Sequence, residues 1–298
     1  MAKKHTFMKH TIFVITVLVS FITNAQFGGV YWNDKIKARF LNSKTLVVKT
    51  GNEHFDTNIE NGFKKYWTHT PFEMVEANHK INDSDESISY VIPYKFKIAD
   101  GYTVQYYPHY GVIIGGSEDE MKRVVADIIL DGFGYESKIE EAAYRAYGMV
   151  KIMQDYIQLK LDGKPVVASS ITKVAYNTAK IYNAKAPKIK KKTLLVDKDQ
   201  LTQGPYATGL SAVGNKSMSQ VDFKSVYGGK VKFVSKEELE EAINSNNTEY
   251  CYFLPIYSRS KYIFVVDCES GSIWYNGYST TGMFFSKGDI KALVKAKG

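Results

Sequence analysis

Five segments recur in the same order in the two halves of this chain, and that recurrence restricts the fold more than any single motif does. Lys44-Thr-Leu-Val-Val48 answers Lys192-Thr-Leu-Leu-Val196, two short β-branched runs suited to a central strand. Phe72-Glu-Met-Val75 answers Val231-Lys-Phe-Val234. Tyr90-Val-Ile-Pro93 answers Tyr252-Phe-Leu-Pro255, and a proline at one fixed place in two strands implies an edge or a position whose N–H faces no partner. Gly101 through Ile114 then aligns without a gap on Lys261 through Trp274. Last, Ser117-x-x-Glu120 and Ser286-x-x-Asp289 each read as opening a helix after the last strand. Met121, Val124 and Val125 would line one, and Ile290, Leu293 and Val294 the other.

The implied fold class is α+β (mixed α/β), with two repeated modules. Each runs strand, helix, strand, (helix), three-stranded meander, helix. Ile59, Phe63, Tyr66 and Trp67 form the apolar stripe of the first module's leading helix. Its counterpart begins near Ser217 and carries Val221, Phe223 and Val226, after a loop holding Gly204, Pro205, Gly209 and Gly214. Ser235-x-x-Glu238 starts a further short helix with Leu239, Ala242 and Ile243. Between the modules, Glu136 to Leu161 shows helical spacing with Gly163 beyond its end, and Ile171 to Tyr182 suits a shorter helix before Pro187. The expected organisation is a signal peptide at 1–25, a first module at 26–133, a helical connector at 134–186 and a second module at 187–298. A thioredoxin-like reading of each half is the alternative, although Cys-x-x-Cys is missing and one meander strand is left over.

Lys3, Lys4 and Lys9 precede an apolar run from Ile12 to Ile22, and Thr23, Asn24 and Ala25 place small residues before Gln26. That arrangement predicts export with cleavage after Ala25, to the periplasm or the medium. Asn-Ala-Gln at the junction resembles the signal peptides of Bacteroidetes proteins. The run is shorter than the roughly 20 apolar residues that cross a bilayer, so no transmembrane segment is expected in the mature chain. Removing residues 1–25 deletes three lysines and no acids, which lowers the formal charge from +8 to +5. Much of the remaining excess lies in Lys185, Lys188, Lys190, Lys191 and Lys192, which read as a solvated linker, with a patch for nucleic acid or anionic glycolipid as the alternative. Aromatic and arginine interleaving of the single-strand-binding kind is missing, so no nucleic-acid partner is expected.

Chemistry-bearing patterns are sparse. His54, His69, His79 and His109 form no ligand cluster, so neither a metal site nor a cofactor is expected, and scattered surface positions account for them. Ser170-Ile-Thr-Lys173 and Ser258-Arg-Ser-Lys261 both match Ser-x-x-Lys, but two hits on so loose a pattern without a Lys-Thr-Gly partner read as chance. Asp267-Cys-Glu-Ser-Gly271 has too few carboxylates for calcium and reads as a turn closed by Gly271. No catalytic residue is assigned.

Tyr262-Ile-Phe-Val-Val-Asp267, Glu269-Ser-Gly271 and Ile273-Trp-Tyr275 together resemble the strand, Asp-x-x-Thr-Gly, strand-with-Trp hairpin of envelope domains. These are the TolB amino-terminal domain, the curli-secretion lipoprotein and the lipoprotein activators of penicillin-binding proteins. The likeness covers about 105 residues at the carboxyl end, with Ser270 where that group usually has threonine. It implies a non-catalytic exported protein that docks to an envelope protein or polymer. A secreted hydrolase of unrecognised type is the alternative.

Cys251 and Cys268 flank the hairpin around Arg259 and Ser260. If Ser258 pairs with Lys261, the cysteines face each other at a non-hydrogen-bonded site roughly 4.5 Å apart, inside disulfide range. Export favours that bond. A three-residue loop would instead put the cysteines on opposite faces of the sheet.

Overall fold

The computed structural model describes residues 32–99, 104–117, 120–130, 139–166, 171–201, 218–257, 261–279 and 285–298. The expected signal peptide, the glycine-rich loop around Gly209, and Ser170, Ser258, Arg259 and Ser260 lie outside them. Two five-stranded sheets carry the fold. The first contains β1 (Lys44–Val48), β2 (Phe72–Val75), β3 (Ile88–Ala99), β4 (Val104–Ile114) and β5 (Val124–Ile129), in the spatial order β2-β1-β3-β4-β5. The second contains β6 (Thr193–Asp197), β7 (Val231–Val234), β8 (Tyr250–Tyr257), β9 (Lys261–Asp267) and β10 (Ile273–Ser279), in the order β7-β6-β8-β9-β10. β1 runs parallel to β2 and β3, β6 runs parallel to β7 and β8, and each meander is antiparallel. Strand order and direction therefore repeat, as the paired segments imply.

Three details of the repeat differ from the sequence reading. Val104–Ile114 is one continuous strand, and the third meander strand is Val124–Ile129, so Val124 and Val125 belong to a strand and not to a helix. Only the four-residue helix α3 (Glu120–Arg123) precedes it. The run Val124-Val-Ala-Asp-Ile-Ile129 is rich in β-branched residues, and pairing with β4 outweighs one helical turn, whose nucleation is unfavourable. The helix closing the first module comes later, as α5 (Ala146–Leu161), after α4 (Ile139–Ala142) and a 3₁₀ turn. It packs on α2 (Glu53–Tyr66), much as α9 (Lys287–Lys297) packs on α7 (Gln220–Tyr227). The expected connector thus contains the first module's own last helix. Between β2 and β3 there is no helix, where the second module has α8 (Lys236–Asn244).

The local signals hold at most helix ends. Ser235 and Glu238 form the expected capping box, and Ser219 caps α7, which ends on Gly228 in the left-handed region. A further helix, α6 (Ile171–Asn183), lies against β10. The lysine-rich segment is not a solvated linker. Ala186–Lys191 is a 3₁₀ helix whose Ala186 and Ile189 are fully buried.

One apolar core runs through both modules. It takes Val47, Phe55, Ile59, Phe63 and Val112 from the first, most of α5, and Leu195, Leu239, Ile243, Tyr252 and Phe264 from the second. A second core, with Leu194, Val196, Phe223, Phe253 and Ile290, lies on the far side of the second sheet under α7 and α9. The layers are first sheet, helices α2, α5 and α8, second sheet, then helices α7 and α9. Helix α5 is buried along most of its length, with Lys151 and Lys160 among its buried residues. In register, Leu46 pairs with Tyr90 and Leu195 with Tyr252. The first sheet's Leu46–Tyr90 face, which forms a small separate cluster, therefore corresponds to the second sheet's face on α5. The modules stack in the same sense, one behind the other.

The candidate disulfide is contradicted by the hairpin register. Tyr257 pairs with Lys261, leaving a three-residue loop, and Cys251 faces Asp267 instead of Cys268. Side chains alternate between faces, so Cys251 enters the second core and Cys268 the shared one. Both are buried free thiols, raised well above the usual thiol range chiefly by burial. The physical reason is that Arg259-Ser260 lacks the glycine or asparagine a two-residue turn needs.

Candidate functional site

The seam between the modules carries a connected set of polar side chains. Helix α2 presents Asn58, Asn61 and Lys65 at three- and four-residue spacing, hence along one face. Asn58 Nδ2 donates to the Ala143 carbonyl (3.1 Å) and to Glu240 Oε1 of α8 (2.5 Å), and Asn244 Nδ2 donates to Asn58 Oδ1 (3.2 Å). His54 Nε2 lies 2.6 Å from the same Glu240 oxygen. Hydrogen bonds from side-chain amides therefore fasten α2 to α8 across the two repeats.

Next to them, Tyr66 donates to Asn246 Oδ1, and Tyr147 donates to the Tyr66 hydroxyl at 3.3 Å. Lys151 on α5, 3% exposed, donates to Asn246 Oδ1 (2.9 Å) and to the Cys268 carbonyl (2.8 Å). Its ammonium sits 4.5 Å from the centre of the Tyr66 ring and 5.1 Å from that of Tyr147. Burial pushes it down to about 8. Asn246 adopts φ 54, a conformation asparagine tolerates better than most residues, and this aims its amide oxygen at both donors.

A cleft of about 370 Å³ opens beside this network, lined by Asn61, Lys64 and Lys65 of α2, Tyr147 of α5 and Asn244 of α8. Lys64 pairs with Glu60 at 2.6 Å, while Lys65 is exposed and has no carboxylate within 4 Å among the described residues. Among the described residues, buried Asn244 Oδ1 has no hydrogen-bond partner. The lining thus offers two ammonium groups, one of them paired with Glu60, two amides and a phenol. Those are groups that receive a polar ligand, and the site lies between two packed modules, where binding clefts commonly occur.

A second polar cluster sits on the first sheet. Tyr94 and His109 are cross-strand neighbours, and Asp127 Oδ2 lies 2.6 Å from both the Tyr94 hydroxyl and His109 Nδ1. His109 is 6% exposed, so it is not the surface residue the sequence reading expects. The repeat supplies a comparison. Registers align Tyr94, His109 and Asp127 with Ile256, Tyr262 and Asn276, so the fold itself does not require a carboxylate–imidazole pair there.

Elsewhere the sequence assignments fall singly. Asp267 uses both carboxylate oxygens inside its own turn and on Lys192, with Ser270 on Oδ2 and the Lys192 ammonium on Oδ1, both at 2.6 Å. His69 and His79 stand apart from the seam, and among the described residues no group of three or more potential metal ligands occurs. No described helix is long and apolar enough to cross a membrane. The seam residues carried no sequence signal beyond the polar spacing along α2, because their partners lie roughly 80–190 positions away. A scan against family models found no match, and searches of curated proteins and of solved structures each returned none.

Proposed function

We propose that this chain is an exported, non-catalytic protein that docks to another envelope component through the cleft at the seam of its repeats. The observation carrying this reading is that helices of both modules line the cleft, where among the described residues Lys65 has no acid within 4 Å and Asn244 Oδ1 no hydrogen-bond partner. The amino-terminal pattern from Lys3 to Ala25 supports export. The resemblance of the Tyr262–Tyr275 hairpin to envelope docking domains points the same way. The test is capture of envelope extract on the immobilised chain, beside Lys65→Glu and Asn244→Leu variants that keep the wild-type circular dichroism. A partner held by the wild type and released by both variants supports the reading, and a partner held equally by all three rejects the cleft.

A secreted hydrolase is the second reading, favoured by His109 held on Asp127. Orientation of an imidazole by a buried carboxylate is the arrangement a general base needs. Turnover of any substrate in an ester, peptide and glycan panel that disappears in His109→Ala, with the fold intact, would replace the docking reading.

A further inference from the structure

The 3₁₀ helix Ala186–Lys191 is anchored by Ala186 and Ile189, so Lys188, Lys190 and Lys191 project from a fixed support. It packs against α9. There Lys295 is exposed, and Lys297 turns inward to donate to the Tyr227 carbonyl at 3.0 Å. Lys190 lies close enough to Lys297 that its charge, after burial, helps lower the Lys297 ammonium below its usual range. Lys230 is exposed just before β7, at the same end of the second sheet. Of the acids at that end, Asp267 and Glu269 are taken by Lys192, and Glu249, whose carbonyl accepts from Thr193 N, is exposed beside the start of β6. Lys188, Lys190, Lys191, Lys230 and Lys295 have no carboxylate within 4 Å among the described residues.

We propose that this lysine face seats the protein on a membrane leaflet rich in anionic phospholipid. Holding like charges together on rigid elements opposes folding, and a polyanionic surface relieves that repulsion. The face is built from lysines alone, without arginine forks or exposed rings. That composition suits phosphate headgroups met as point charges, whereas single-stranded nucleic acid is bound on aromatic platforms. Clusters of four to eight basic residues are what anionic leaflets recognise. None of these lysines lines the seam cleft, so this inference stands independently of the docking partner.

The test is co-sedimentation of the full chain with vesicles of mixed phosphatidylglycerol and phosphatidylcholine, and with phosphatidylcholine alone. Binding to the first and not the second is expected, and it should fall as salt rises from about 0.15 M to about 1 M and the screening length drops from roughly 8 to 3 Å. Lys188→Glu/Lys190→Glu/Lys191→Glu should weaken it at least about a hundredfold, from roughly fivefold per lysine. The milder triple glutamine variant should weaken it less, while Lys80→Glu/Lys164→Glu, at exposed lysines outside this face and the cleft, leaves it unchanged. No binding to anionic vesicles, equal binding by the folded triple variants, or tighter lysine-dependent binding to duplex DNA or polygalacturonate would each overturn the proposal.

Discussion

Lys151 is buried against two phenol rings, an amide oxygen and a carbonyl, with no carboxylate among its hydrogen-bond partners, and burial holds its folded value near 8 against 10.5 for an ordinary lysine. Between those values the unfolded chain binds more protons, so the cost of burying the charge is fully present below about pH 8 and is relieved as pH rises towards 10.5. Urea midpoints measured for wild type and Lys151→Met should therefore shift in favour of wild type across that window. A constant difference would show that Lys151 is not buried as a cation. Gly271 lies beside it at φ +68, where an added Cβ would come 2.3 Å from Lys151 Cβ. Gly271→Ala combines left-handed strain with overpacking and should cost at least about 2 kcal/mol in a denaturant titration. Cys251 and Cys268 face different cores, so unfolding without reductant should expose two titratable thiols per chain, and finding none would contradict the hairpin register.

Among the elements, α2 shows how much was legible. Ile59, Phe63 and Trp67 recur at helical spacing and are all buried, with Phe63 against Trp67 (4.8 Å) and Phe72 (5.3 Å). Phe63→Ala should cost about 3–5 kcal/mol, measured by thermal or urea unfolding, as for other fully buried aromatics. A loss under about 1 kcal/mol would mean the shared core is looser than its packing indicates. Periodicity located nearly every strand because alternation is a local property. It failed at Val124, where a serine-led helix start precedes residues that pair better as a strand, and at the cysteines, where one residue of loop length reverses every facing. The polar face of α2 was illegible for another reason. Asn58 reads as an ordinary polar residue until α8 arrives from the other module and buries it.

At the scale of the whole molecule, the repeat predicts two sheets but not their union. Two modules with separate cores would unfold as separate units, yet here the first module's closing helix is also the floor of the second module's sheet, and the docking cleft lies on that junction. The most direct measurement uses the three tryptophans: Trp274→Phe leaves Trp32 and Trp67 to report on the first module, and Trp32→Phe/Trp67→Phe leaves Trp274 to report on the second. For each variant, urea unfolding followed by fluorescence should coincide with unfolding followed by circular dichroism, in one cooperative transition. Fluorescence from one module changing at a midpoint where circular dichroism still registers the other as folded would contradict the shared core and the cleft built on it.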